Sequence, residues 1–471
     1  MQLNPADTDF LTALSAALPG VVHPMTDRYL EEPRGKFTGA GAVVLKPRNT
    51  SEVAEILRRA NAARIGVVPY GGGTGLVGGQ VGVDLPAPLV LSLERMNAIT
   101  DVDAEDRSLL AGAGAILADI QAAAAEIDLL FPLSLASEGS CRIGGNLATN
   151  AGGVNVIRYG NAREQVLGVE AVLADGTIVR DLKSLRKDNT GYDIGRLLVG
   201  SEGTLGIITA ARLKLVDRPK ERMTALLDVG TPEGALRLLR HVQTRFGELV
   251  TAFELIDRGG VDFISETMPD TVLPPIGEGA WFVLTDIGGG SGANLSERFE
   301  MVLAEAMDAG MVTDGFIAQS EAQRDQIWTM RESMPEANRR IGAIASHDIS
   351  IPVGRVPEFI AECRARLQSL NYPFRINSFG HMGDGNLHFN LFPAKGDNRN
   401  EQRHLGPKIT RIVHDLTAEF GGSFSAEHGV GRLKKSELVT YGDPGKRAAM
   451  AAIKAALDPN GILNPGAIFD D

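Results

Sequence analysis

The chain has 471 residues, 44% of them hydrophobic, and 59 acidic against 47 basic residues give a net charge of -12. That length and apolar content supply two or three compact domains with cores of their own. The acidic balance excludes partners that demand a basic patch, nucleic acid and anionic membrane surfaces among them. Two cysteines, Cys141 and Cys363, are too few for a disulfide framework, exclude an iron–sulfur cluster held by this chain, and fit a reducing compartment. Residues 1–20 carry acidic groups where a secretory signal would be basic, and no apolar run approaches the length of a bilayer span, so the expected location is the cytoplasm.

In chain order, a short strand at 43–47 precedes an amphipathic helix with Thr50 or Ser51 as N-cap and Val53, Ile56, Leu57 and Ala60 as its apolar stripe. A buried-type strand at 65–69 then runs into Pro69-Tyr70-Gly71-Gly72-Gly73-Thr74-Gly75-Leu76-Val77-Gly78-Gly79. Successive backbone N–H groups in such a loop approach a phosphate without side-chain obstruction. The loop lacks the Gly-Lys-Ser/Thr ending of a Walker sequence, and no amphipathic helix follows it as a dinucleotide fingerprint requires. By itself it fits a flexible surface turn equally. A second block at 132–153, rich in small residues and side-chain amides and poor in charge, suits close wrapping of a large planar ligand. A hairpin follows at 169–179, turned at Asp175 and Gly176, and a third block, Val-Gly-Ser-Glu-Gly-Thr-Leu-Gly-Ile-Ile-Thr, covers 199–209.

From Met223 the pattern becomes strands (225–229, 281–286) alternating with longer helices (233–246, 296–309), which suits an α+β domain with an antiparallel sheet. Arg331 lies on a helical segment, where an arginine is ordinarily a solvated charge. Residues 379–390 read Phe-Gly-His-Met-Gly-Asp-Gly-Asn-Leu-His-Phe-Asn, and their turn residues predict a hairpin with His381 facing His388. That spacing alone also fits histidines that merely hydrogen-bond. Downstream, Ser-Ala-Glu-His-Gly-Val-Gly at 425–431 adds Glu427 and His428. Two histidines and a glutamate form a catalytic metal set that leaves a coordination position open, so His381, His388 and Glu427 are the expected ligands of a divalent ion such as zinc. His428, beside that set, is placed to take a proton. His404 and His414 flank a helix with Ile409, Ile412, Val413 and Leu416 as its apolar positions and read as background.

These blocks in this order resemble the FAD-linked D-2-hydroxyacid dehydrogenases. That branch of the vanillyl-alcohol oxidase/p-cresol methylhydroxylase superfamily includes D-2-hydroxyglutarate dehydrogenase, D-lactate dehydrogenase and the flavin subunit of glycolate oxidase. The resemblance runs from about Lys36 to the C-terminus. It implies an α+β protein with a two-part FAD-binding domain (1–218 and 421–471) around an α+β substrate domain (219–420). It also implies FAD contacts from Pro69, Gly71, Gly72, Gly73, Thr74, Gly75, Leu76, Gly78 and Gly79 in the first block. The second block would contribute Glu138, Gly139, Ser140, Ile143, Gly144, Asn146, Ala148, Thr149 and Gly152. Glu202, Gly206 and Ile207 would follow from the third block, and Asn464 from the tail. The first loop contains no histidine to tether the flavin, so the FAD is expected to be non-covalent.

By the same resemblance Arg331 grips the substrate carboxylate through its planar fork, Asn390 orients the substrate, and His428 acts as base while touching it. The implied reaction oxidises a D-2-hydroxy acid (D-2-hydroxyglutarate, D-lactate or D-malate) to the 2-oxo acid. An unidentified acceptor (an electron-transfer flavoprotein, a quinone or a cytochrome) would then take the electrons. A homodimer is compatible with the sequence, as is a flavin subunit of a glycolate or lactate oxidase-type complex; an inactive binding module fits less well with a complete His/His/Glu/His set. The 2-hydroxyglutarate enzymes hold the distal carboxylate with a lysine and a threonine where this chain has Ser346 and Pro335, which leaves His347 or Arg375 as candidate substitutes.

Overall fold

An asparagine starts the first long helix. Asn49 accepts the N–H of Glu52, and Glu52 Oε2 returns to the N–H of Arg48 at 2.6 Å, so Thr50–Ala63 is capped by Asn49 and not by Thr50 or Ser51. Its buried stripe, Val53, Ile56, Leu57 and Ala60, packs on a sheet in which Val43–Leu45, Leu89–Ser92 and Val67–Tyr70 run parallel. The computed structural model describes residues 3–470. They divide into two compact units, one of Met1–Gly152, Gly160–Arg218 and Glu427–Asp471, the other of Gly153–Tyr159 and Pro219–Ala426.

In the first unit the C-terminal tail completes the parallel sheet. Val67 N–H donates to Ile462 O at 2.7 Å and Asn464 N–H to Val67 O at 2.8 Å, which lays Leu463 beside the strand that feeds the first glycine-rich loop. A second, antiparallel sheet has the strand order Ile99–Asp103, Ser108–Gly112, Ile207–Lys214, Val166–Val172 and Ile178–Arg180. Its last two strands are the expected hairpin, with Gly176 at φ +88° in the turn and Asp175 accepting the N–H of Thr177.

The second unit centres on an antiparallel sheet ordered Val250–Asp257, Trp281–Gly289, Glu221–Asp228 and Asp314–Ile317. Phe253, Leu255, Val283 and Leu227 pack with the helices Pro232–Phe246 and Leu295–Asp308, while Ala252, Ile256, Phe282 and Leu284 pack with Arg258–Thr267 and Glu321–Ile341. A three-stranded antiparallel sheet has Asn386–Phe392 between Ala345–Ser350 and Arg375–Phe379. Leu387, Phe389 and Leu391 bury one face of it with the helices Val356–Leu367 and Gly406–Glu419, leaving Asn386, His388 and Asn390 on the other.

The chain passes from the first unit to the second at 218/219 and returns at 426/427. Residues 153–159 belong to the second unit: Arg158 Nη1 donates to Gly288 O at 2.7 Å, and Ile157 packs on Gly383. Among the described residues no helix is long and apolar enough to cross a membrane. Cys141 and Cys363 are both buried and form no disulfide; burial pushes both thiols up, Cys363 to about 12.

Candidate active site

The histidine loop departs from the simple hairpin. His388 pairs across the sheet with Phe379, not with His381, because the connecting loop opens at Gly380. Gly380, at φ +150°, exchanges backbone hydrogen bonds with Leu255 (2.8 and 3.0 Å), and a Cβ there would meet Asn386 O at 2.6 Å. His381 is therefore carried on the loop, its ring 5.7 Å from that of His388 and at 81° to it.

The docking of Gly380 on Leu255 also brings in a residue that sequence reasoning missed. Glu254 is the neighbour of Leu255, fully buried on the strand face that meets Glu321–Ile341. Its Oε1 lies 2.5 Å from His381 Nδ1, and its Oε2 accepts the Nε–H of Arg331 at 2.7 Å with Nη2 in ion-pair contact, also at 2.7 Å. Burial by itself would push this carboxyl up; the charges of His381 and Arg331 outweigh it and hold the group at about 2. Arg331 is thus a buried, paired charge and not a solvated one, stacked 4.8 Å over Phe379, whose ring is 5.1 Å from His388. The available signal was a carboxylate at an inward position of the apolar run 252–256, which requires a cation partner.

The face of the three-stranded sheet that holds His388 and Asn390 carries Phe379 and polar neighbours from the Ala345–Ser350 strand. Asp348 lies opposite His388, its Oδ1 4.0 Å from His388 Nδ1 and held by Asn386 Nδ2 at 3.0 Å. Ser346, exposed, lies opposite Asn390, whose Nδ2 donates to His388 O at 3.3 Å. Neither candidate for the distal cation fits that task. His347 faces the opposite side of its strand, with Nδ1 at 2.7 Å from Phe389 O and Nε2 at 3.2 Å from Thr410 Oγ1, beside His414. Arg375 is held by Glu266 and by Pro393 O and stacks on Phe263. Pro335 is exposed inside the Glu321–Ile341 helix, one turn beyond Arg331.

In the other unit the three glycine-rich blocks meet. Gly72 packs so closely on Ser140 O and the Cys141 Cα (2.8 Å from a built Cβ) that no side chain fits, and Gly203 packs on Pro69. Ile143 and Ile207 put their side chains into the apolar core, the first with its N–H on Ala115 O at 2.9 Å and the second paired with Val172 in the sheet. Asn146 Oδ1 and Ser201 Oγ are buried without a hydrogen-bond partner among the described residues, as polar groups are where a ligand completes the site. These features fit a nucleotide cofactor.

Two expected flavin contacts have their polar atoms engaged within the protein. Glu202 accepts the N–H groups of Val430 and Gly431, both at 2.7 Å, and Asn464 donates to Gly79 O and Glu202 O. Burial pushes the Glu202 carboxyl up against the pull of those N–H groups and of nearby Lys434 and Arg432. Buried Arg432, which the sequence did not single out, gives Nη1 to Gly78 O and Gly79 O and Nη2 to Asn464 Oδ1 and Pro465 O, at 2.7 to 3.2 Å. The first loop, the third block, the tail and the segment after His428 are thereby tied together. Glu427, the first residue of the returning stretch, abuts Gly152, and its Oε1 is 3.8 Å from His428 Nε2.

Hydrogen bonds from a charged donor contribute about 1.5–3 kcal/mol each. Arg432→Leu is therefore expected to lower the Tm and to release FAD during gel filtration. Flavin retention equal to wild type would show that other contacts hold the loops.

A cofactor unit built from glycine-rich loops, combined with an antiparallel unit carrying a His/Arg/Glu network, defines a flavin-dependent oxidoreductase. Residues 41–181 match the FAD binding domain family, and residues 218–468 match the C-terminal domain of FAD linked oxidases. Relatives include the mitochondrial D-2-hydroxyglutarate dehydrogenases of Arabidopsis thaliana (37% identical, 91% of this chain and 75% of the relative) and Rattus norvegicus (38%, 91% and 78%). The D-2-hydroxyglutarate dehydrogenase of Xanthomonas citri pv. viticola is 37% identical over 92% of this chain and 90% of the relative. Among solved structures, p-cresol methylhydroxylase with substrate bound gives a TM-score of 0.75 at 16% identity, and 4-ethylphenol oxidase from Gulosibacter chungangensis gives 0.71 at 18%. Each covers 99% of this chain and 98% of the other, and at such identities the likeness shows the fold alone. The chain belongs to the FAD-linked D-2-hydroxyacid dehydrogenase family and is an FAD-dependent oxidoreductase acting on CH–OH groups.

Proposed function

We propose that the chain oxidises a D-2-hydroxy acid to its 2-oxo acid with non-covalent FAD, and that D-2-hydroxyglutarate, the compound in the names of relatives 37% and 38% identical, is the first substrate to test. The observation that carries this reading is the sharing of buried Glu254 between Arg331, a carboxylate-recognising group, and His381, a metal-type imidazole. Arg331 binds the substrate carboxylate and Asn390 orients the substrate from the face it shares with His388. His428 removes the hydroxyl proton.

The donor chemistry of His381 and His388 suits a divalent ion such as zinc, and His381 presents Nδ1 to the Glu254 carboxylate, which favours its other nitrogen as ligand. With Glu427 as third ligand, a bound ion would acidify the substrate hydroxyl. FAD, held by the three glycine-rich blocks, would accept the Cα hydrogen as hydride and pass its electrons to an electron-transfer flavoprotein, quinone or cytochrome. At the distal end of the substrate, Ser346 and Pro335 offer no positive charge, and His347 and Arg375 do not replace it. D-lactate and D-malate therefore belong in the same comparison.

Mixing the purified protein anaerobically with each D-acid and its L-isomer tests the reading. The D-isomer is expected to bleach the flavin and the L-isomer to leave it oxidised, because carboxylate, hydroxyl and flavin contacts together fix the hand of the substrate. Equal bleaching by both isomers, or by neither, overturns it.

A further inference from the structure

We infer that Glu254 is a positioning residue that sets, with one carboxylate, both the metal-binding tautomer of His381 and the orientation of the Arg331 fork. This deepens the proposed function and rests on it. Glu254 has no exposed surface, and its two oxygens have different partners: Oε1 faces His381 Nδ1, and Oε2 accepts Nε–H of Arg331 with Nη2 in ion-pair contact.

A carboxylate only accepts hydrogen bonds, so the imidazole nitrogen facing it carries the proton and the lone pair lies on Nε2, the nitrogen that a metal ion binds. Arg331 is likewise held at one edge of its guanidinium, which turns the remaining Nη1 in a fixed direction. The backbone pairing of Leu255 with Gly380 fixes the spacing, since it locks the strand carrying Glu254 to the loop carrying His381. An anion at this position therefore aligns two groups that serve different parts of one substrate, its hydroxyl and its carboxylate.

An amide cannot do both tasks. In Glu254→Gln, an Nε2 turned to His381 donates to Nδ1 and moves the imidazole proton onto the metal-binding nitrogen; turned to Arg331, it sets donor against donor. Glu254→Asp keeps the charge but is one methylene too short to reach both partners.

The test compares wild type, Glu254→Gln and Glu254→Asp as FAD-loaded full-length proteins. Zinc affinity is measured by chelator competition without substrate, KM and kcat with the D-2-hydroxy acid that wild type uses, and FAD content and Tm alongside. Loss of such a supporting partner typically costs about 10–100-fold in metal affinity. The Gln variant is expected to show that loss, or a comparable rise in KM, with FAD content unchanged, and the Asp variant to retain more of one function than of the other. Zinc affinity and KM within about twofold of wild type in both variants overturn the inference. So does a parallel loss of FAD, Tm and activity in both, which would mark a merely structural ion pair. Wild-type protein that neither binds zinc nor is reduced by any D-2-hydroxy acid would overturn the proposed function itself, whereas altered variants are compared only with a wild type that does both.

Discussion

Replacing His428 with asparagine is expected to slow anaerobic flavin reduction by about 10²- to 10⁴-fold, the usual contribution of a general base, while metal and FAD contents stay at wild-type levels. Glu427→Gln, one residue earlier, is expected to lower metal content together with activity, because it replaces a charged ligand by a neutral one. The structure favours a clean comparison. The segment after these two residues is anchored through the N–H groups of Val430 and Gly431 to Glu202, and by Arg432 to four backbone and side-chain oxygens. None of those bonds involves the side chain of residue 427 or 428, so neither substitution removes the anchor. Metal analysis and stopped-flow reduction of both variants decide the division of labour. If His428→Asn loses the metal and Glu427→Gln keeps it, the ligand and base roles are to be exchanged.

Arg331→Lys is the second change with a large expected effect. A point ammonium keeps the charge but cannot both hold Glu254 at one edge and offer a second edge to the proposed substrate carboxylate. The loss of one charge-assisted hydrogen bond, about 1.5–3 kcal/mol, corresponds to roughly a 10- to 100-fold fall in kcat/KM. Because Arg331 is the buried partner of Glu254, Arg331→Met should also destabilise the fold, by up to about 3–5 kcal/mol, since it leaves the buried carboxylate with His381 alone. Steady-state kinetics on the lysine variant and thermal unfolding of both variants test this. Near-normal kcat/KM for Arg331→Lys would remove Arg331 from substrate binding and leave it a structural ion pair.

Much of the protein was legible in its sequence because glycine, histidine and turn residues do their work locally. The three glycine-rich blocks stand out since a backbone that must touch another backbone excludes a Cβ, as Gly72 against Ser140 and Cys141 shows. The two strands turned at Asp175 and Gly176 follow from turn chemistry, and the helices of the second unit follow from their apolar period. Local rules were less secure at boundaries. Asn49 took the cap expected of Thr50 or Ser51 because its side chain reaches the N–H of Glu52.

What only the tertiary structure decided concerns contacts between residues far apart along the chain. His381 and Glu254 are separated by 127 residues, and Arg331 and Glu254 by 77. No local pattern assigns those partners, because which face of the Val250–Asp257 strand receives a carboxylate depends on what packs there. The same holds for His381 and His388, whose cross-strand pairing was expected from the turn residues between them. Gly380 instead pairs with Leu255, a residue outside the hairpin, and that competition shifted the register to His388 and Phe379. His347 and Arg375 were candidates while only their charge was known; strand alternation turned the first away from the His388 face, and an ion pair to Glu266 engaged the second. The sequence by itself determined the kinds of chemical group and the loops that hold them. Folding decided which groups share one buried anion, since burial makes each charge depend on a partner that the chain supplies from elsewhere.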